Sequence, residues 1–163
     1  MDQRVRLLLP LCLTLLLVLV DAVPTRLPGF TAVAPLLPLI GVYYWAIFRP
    51  ELLPSSAAFA VGLVNDVVAG TPIGTSSLVY LMARVMTVSQ RRFFLGKPFL
   101  LVWCGFALVC GGAILLQWGL VSMVFGRMLG LRAVLVELVM TVSFYPLLAW
   151  LFARAQLTLM RRA

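Results

Sequence analysis

At 163 residues, 63% of them hydrophobic, with a mean hydropathy of +1.10, the chain carries more apolar surface than one small soluble core can hide. Its formal charge is +8, but the basic residues are dispersed between apolar stretches and no aromatic-interleaved basic face exists, which argues against nucleic acid and for anionic lipid headgroups as the partner. Cys12, Cys104 and Cys110 sit in apolar runs without CxxC spacing and the chain has no histidine, so the thiols read as small buried hydrophobes and no metal site or other cofactor is expected.

Crossing a hydrocarbon core takes roughly 20 helical residues, so a chain of this length with short connections supplies about six crossings. The expected fold is an all-α integral membrane protein, one membrane domain over 1–163, with spans at about 7–23, 31–48, 54–70, 74–90, 98–119 and 132–153. The start of the chain imitates a secretory signal, with Arg4 and Arg6, an apolar run from Leu7 and the small-residue stretch Val20-Asp21-Ala22. Because the rest of the chain is itself membrane-embedded, the run reads as an uncut first span. Pro24 and Pro28-Gly29 mark the first connection, Pro50 and Pro54 flank the second, Gly70-Thr71-Pro72 forms the third, and Lys97-Pro98 restarts the chain after the fourth.

Six spans with a cytoplasmic N-terminus put Arg4, Arg6, Arg49, Arg91, Arg92, Lys97, Arg154, Arg161 and Arg162 inside and Arg26, Arg127 and Arg132 outside. Nine against three obeys the positive-inside rule, and both termini are then cytoplasmic. Tyr43, Tyr44, Trp45 and Trp150 fit interfacial anchoring or packing between helices. The apolar segment 120–131 reads either as a short helix lying in the outer interface or as a fifth span that runs long and tilted.

The stretch from Gly62 to Gly74 places Asn65 and Asp66 within an apolar helix. An acidic residue near the centre of a span disfavours insertion by roughly 2.5–3.5 kcal/mol, so it turns toward protein or water and finds a partner. Gly62, Asp66 and Gly70 are four apart and share one face, where missing side chains admit a neighbouring backbone. Gly70, Pro72 and Gly74 then form a tight return, so spans three and four make a compact hairpin. Arg84 is a candidate ion-pair partner for Asp66 across it; the alternatives are that Arg84 snorkels to the cytoplasmic face and that Asp66 is capped by Asn65, Thr71 or a serine of the same hairpin. Glu137, just over one turn inward of Arg132, reads as partly exposed at the outer interface. No catalytic constellation is visible: there is no histidine, no paired carboxylate at helical spacing, no serine or cysteine with an evident base, and no phosphate-binding loop.

The succession Trp45, Arg49-Pro50, Phe59, Gly62-Leu63, Asp66, Gly70-Thr71-Pro72-Ile73-Gly74, Leu78, Tyr80 and Gln90-Arg91-Arg92 resembles the bacterial rod shape-determining MreD family, most specifically in Gly-Leu-x-x-Asp-x-x-x-Gly-x-Pro-x-Gly. The resemblance implies a non-enzymatic scaffold in the bacterial inner membrane. Its implied partners are the single-span MreC, RodA with a class B penicillin-binding protein, directly or through MreC, and indirectly the actin-like MreB. It also implies a fold similar to the substrate-binding subunits of energy-coupling-factor transporters, which makes a small-molecule-binding transporter subunit the rival function. In the scaffold reading Gly62, Asp66, Gly70, Pro72 and Gly74 are structural or partner-packing residues. A pocket would have to draw on Asn65, Asp66, Thr71, Ser76, Ser77 and Gln117.

Overall fold

The computed structural model describes residues 3–23, 35–128 and 130–161. Six helices follow in order: α1 (Gln3–Asp21), α2 (Leu37–Phe48), α3 (Ser55–Ala69), α4 (Thr75–Phe94), α5 (Phe99–Phe125) and α6 (Leu131–Arg161), with no strand among the described residues. The expected connection around Pro24 and Pro28-Gly29, and the start of the expected second span, lie outside the described residues. Because α5 is continuous to Phe125, the first half of segment 120–131 is the end of a long helix rather than a separate interfacial one. At 27 and 31 residues, α5 and α6 extend about 40 Å and 46 Å, beyond the expected 119 and 153, because no helix breaker intervenes: Gly126 is the first after 119, and Arg154 and Gln156 continue α6 as good helix formers.

Two stretches, Phe99–Phe125 and Leu131–Thr158, are long and apolar enough to cross a bilayer, and only 33% and 22% of their most apolar windows are buried. A core helix of a soluble protein would be mostly covered. Here Leu108, Leu115, Val139 and Leu147 face outward, an arrangement that suits lipid as solvent. The apolar helices among α1 to α3 are shorter, and α4 carries Arg84, Gln90, Arg91 and Arg92.

The short α2 is the centre of the bundle. It is apolar on every side and buried from Leu37 to Ile47, against α1, α4, α5 and α6. Its aromatic run packs inward: Tyr43 meets Phe106 and Tyr145 edge-on, Tyr44 and Trp45 lie against Phe152, and the Tyr43 hydroxyl donates to Val102 O at 2.9 Å. Of the two readings for these aromatics, interhelical packing holds. Trp150 is exposed, with the Arg154 guanidinium 4.8 Å from its ring. The thiols divide: Cys110 is buried, whereas Cys12 and Cys104 are exposed on outward faces, because apolar surroundings in the sequence do not tell a lipid face from a core face.

Backbone gaps within the apolar helices are closed by side chains. Pro146 has no N–H for the carbonyl of Val142, and the indole of Trp103 on α5 donates to that carbonyl at 3.0 Å. Thr141 is tied to the Glu137 carbonyl at 2.7 Å and accepts the Leu36 amide at 3.0 Å, so it satisfies a donor at the start of α2. Thr141 lies ten residues into α6, about 15 Å along it, so α2 begins well short of the level where α6 starts.

Candidate functional site: the α3–α4 hairpin and the groove beside it

Gly70 ends α3 in the left-handed region at φ 69°, and its amide and that of Thr71 both return to the Asp66 carbonyl. Gly74 at φ 99° starts α4 but has no side chain with which to cap it. The carboxylate of Asp66 supplies that cap from the neighbouring helix. Its Oδ2 accepts from the Gly74 amide at 2.9 Å, its Oδ1 from the Ser76 amide at 3.0 Å, and the Thr71 hydroxyl donates to Oδ1 at 2.7 Å. An anionic acceptor at the first turn of α4 also meets the positive end of that helix. Asp66 is thus fully buried yet fully occupied.

Gly62 makes this possible one helical turn away. A Cβ placed there would lie 2.5 Å from Ser77 N and 2.8 Å from Ser76 C, and closer still to Ser77 Cα, so α3 and α4 meet backbone to backbone. Asn65 Nδ2 donates to Ser76 Oγ at 3.0 Å and Ser77 Oγ to Phe59 O at 3.2 Å, fastening the same seam. Pro72 accepts the Thr75 amide at 3.1 Å within the turn. Gly62, Asp66, Gly70, Pro72 and Gly74 therefore form one lock, with their polar capacity spent inside it.

The expected pairing of Asp66 with Arg84 does not form. Asp66 is committed to the start of α4, and Arg84 lies eight residues beyond Ser76, about 12 Å further along the helix. Its guanidinium instead donates to Leu53 O at 2.8 Å, Ser55 Oγ at 2.8 Å and Pro50 O at 3.2 Å, gathering the α2–α3 connection. Arg91 adds a bond to Ile47 O at 3.2 Å, one of the carbonyls that α2 leaves open at its C-terminus. Arg84 and Arg91 therefore close the bundle at the end opposite the hairpin turn, hereafter the basic end. Glu137 is partly buried, as its place near the start of α6 suggests.

Sequence reasoning missed an apolar groove of about 400 Å³ between α4 and α5, lined among others by Val79, Met82, Met86, Gln90, Leu108 and Gly112. A Cβ at Gly112 would meet nothing within 4 Å, so this glycine opens space rather than seating a neighbour. The available signal was Met82 and Met86 at helical spacing opposite Gly111-Gly112, which adaptable side chains and absent ones together make a receptive surface. Among the described residues no group of three or more metal-ligating side chains stands together.

The chain is similar to an uncharacterized protein of Rickettsia prowazekii (strain Madrid E), 30% identical over 77 residues, which is 47% of this chain and 43% of that protein. The chain thus spans less than half of that relative. No solved structure matches, and the expected likeness to energy-coupling-factor subunits finds no support there. The model of the rod shape-determining protein MreD family matches residues 1–159, nearly the whole chain, so this protein belongs to the MreD family.

Proposed function

We propose that the chain is a six-span scaffold of the bacterial inner membrane that supports rod-shape determination and lateral peptidoglycan synthesis by docking other membrane helices. Family membership supports the role in cell shape. The observation that carries the docking reading is the hairpin: its carboxylate, amide and hydroxyls are consumed in joining α3 to α4, which leaves a stiff two-helix unit with an apolar groove along its flank. A preorganised apolar face loses little entropy when a helix packs on it. In this reading the basic end, with Arg49, Arg91, Arg92 and Lys97, faces the cytoplasm, and MreC supplies the docked span, with RodA and its penicillin-binding partner reached directly or through MreC.

The test is a photo-crosslinking amino acid at Met86, in the groove, and at Val139, on the outward face of α6, in cells making tagged protein. Crosslinks to MreC or RodA from Met86 and not Val139 are expected. Crosslinks only to a transporter's coupling subunit would overturn the scaffold in favour of a transport role.

A further inference from the structure

The α4–α5 groove is too narrow to admit a helix. Its lining runs from Val79 to Gln90, about 16 Å of α4, and over that length a volume of about 400 Å³ makes a channel roughly 5 Å across. A helix with its side chains measures about 10–12 Å, whereas carbon atoms in contact stand about 4 Å apart. Buried Val79 and Ala83 on α4 and Ala113 on α5 form the floor, which the absent side chain of Gly112 extends. Exposed Met82, Met86 and Leu108 form the rims. The space fits a single unbranched hydrocarbon chain. A helix docked along this flank would lie across the mouth and cover that chain.

The groove is polar at one end only. Every residue of its lining is apolar except Gln90, which stands toward the basic end. One turn further on, Phe94 plugs the seam, since a Cβ at Gly105 of α5 would lie 2.5 Å from the Phe94 ring. A chain in the groove therefore has to leave sideways at Gln90, onto exposed Phe93, which follows Met86 on the same face of α4. The Lys97 ammonium stands 5.6 Å from the centre of that ring. From Thr75 to Phe125 the chain carries Arg84, Arg91, Arg92 and Lys97 and no acid, and of these Arg92 and Lys97 are exposed. At this end of the bundle Glu51 is the one acidic side chain among the described residues, and Arg49 holds it at 3.5 Å. An apolar slot one chain wide, opening beside a primary amide and an ammonium group, selects an amphiphile with an anionic head. We propose that the groove binds one anionic phospholipid from the leaflet at the basic end, with an acyl chain along Val79 to Gln90 and its phosphate between the Gln90 amide and Lys97. The site stands on the geometry of the groove and does not depend on the scaffold role.

The full chain, purified in dodecyl maltoside and stripped of lipid, is titrated with dioleoyl phosphatidylglycerol or dioleoyl phosphatidylcholine, and bound lipid is counted by native mass spectrometry. Saturation at one phosphatidylglycerol is expected, at a half-saturating concentration roughly fivefold or more below that of phosphatidylcholine, the worth of one cation at a membrane surface. Gly112→Leu, whose side chain enters the groove, abolishes the saturable site for both lipids. Lys97→Gln brings the two lipids to within about twofold of each other. Val139→Ala, on the outward face of α6, changes neither. If Gly112→Leu folds poorly, Lys97→Gln carries the test, because it lies in the turn after α4 and outside the packed core. The proposal is overturned if phosphatidylglycerol binds without saturating at one copy, if the two lipids bind the parent alike, or if a folded Gly112→Leu or Lys97→Gln variant titrates as the parent does.

Discussion

Replacing Gly62 with alanine adds one methyl group where there is no room for it. The new Cβ would sit 2.5 Å from Ser77 N and 2.8 Å from Ser76 C, against a carbon contact of about 3.5–4.0 Å, so α3 and α4 must part by roughly 1 Å. Both neighbours are backbone and cannot rotate away. Overpacking of this kind costs about 1–3 kcal/mol. Separation also stretches the Asn65–Ser76 and Ser77–Phe59 hydrogen bonds, each worth about 0.5–1.5 kcal/mol net. Together these give a loss of about 2–6 kcal/mol, or roughly 4–24 °C in unfolding midpoint for a chain of this size. The control is Gly112→Ala, where the added Cβ meets nothing within 4 Å and alanine is the better helix former by about 0.5–1 kcal/mol. Thermal unfolding of both variants in the same detergent decides the matter. Equal stability of Gly62→Ala and Gly112→Ala would refute the backbone-to-backbone seam.

The carboxylate lock predicts that Asp66→Asn, which turns an amide N–H toward the Gly74 and Ser76 donors, costs about 1–3 kcal/mol in unfolding measurements. Gly74→Val, forced to φ 99°, lowers accumulation in membranes at least as much. Because Asp66 and Arg84 serve different ends of α4, Asp66→Asn and Arg84→Gln should add within about 0.5 kcal/mol, and a larger interaction energy would restore the ion pair. Trp103→Phe leaves the Val142 carbonyl orphaned and costs about 1–3 kcal/mol, but costs less when Pro146→Ala restores the missing helical N–H; a double-mutant cycle measures the difference.

The hairpin was legible because its chemistry is local. Glycines four apart, a carboxylate between them and a Gly-Pro-Gly return dictate a close antiparallel pair whatever surrounds it, and Thr71 stood among the possible caps of Asp66. The decisive donors, the amides of Gly74 and Ser76, leave no mark in a sequence, since every residue but proline carries one. The candidate pairing of Arg84 with Asp66 fails for a related reason: hydropathy gives a helix its ends but not its axial offset from a neighbour, and the carbonyls of Pro50 and Leu53 are as invisible as the amides. The lengths of α5 and α6 escaped because apolar residues continue α5 past the thickness of a bilayer, and good helix formers such as Arg154 and Gln156 continue α6 past its apolar stretch.

The most direct test of the scaffold role is to extract the tagged, full-length chain from its native membrane in mild detergent and identify what co-purifies with it. Recovery of MreC together with RodA or the class B penicillin-binding protein, reduced when Gly62→Ala loosens the hairpin, is the expected result. Recovery of a transporter's ATPases and coupling subunit, with none of the cell-wall proteins, would contradict it.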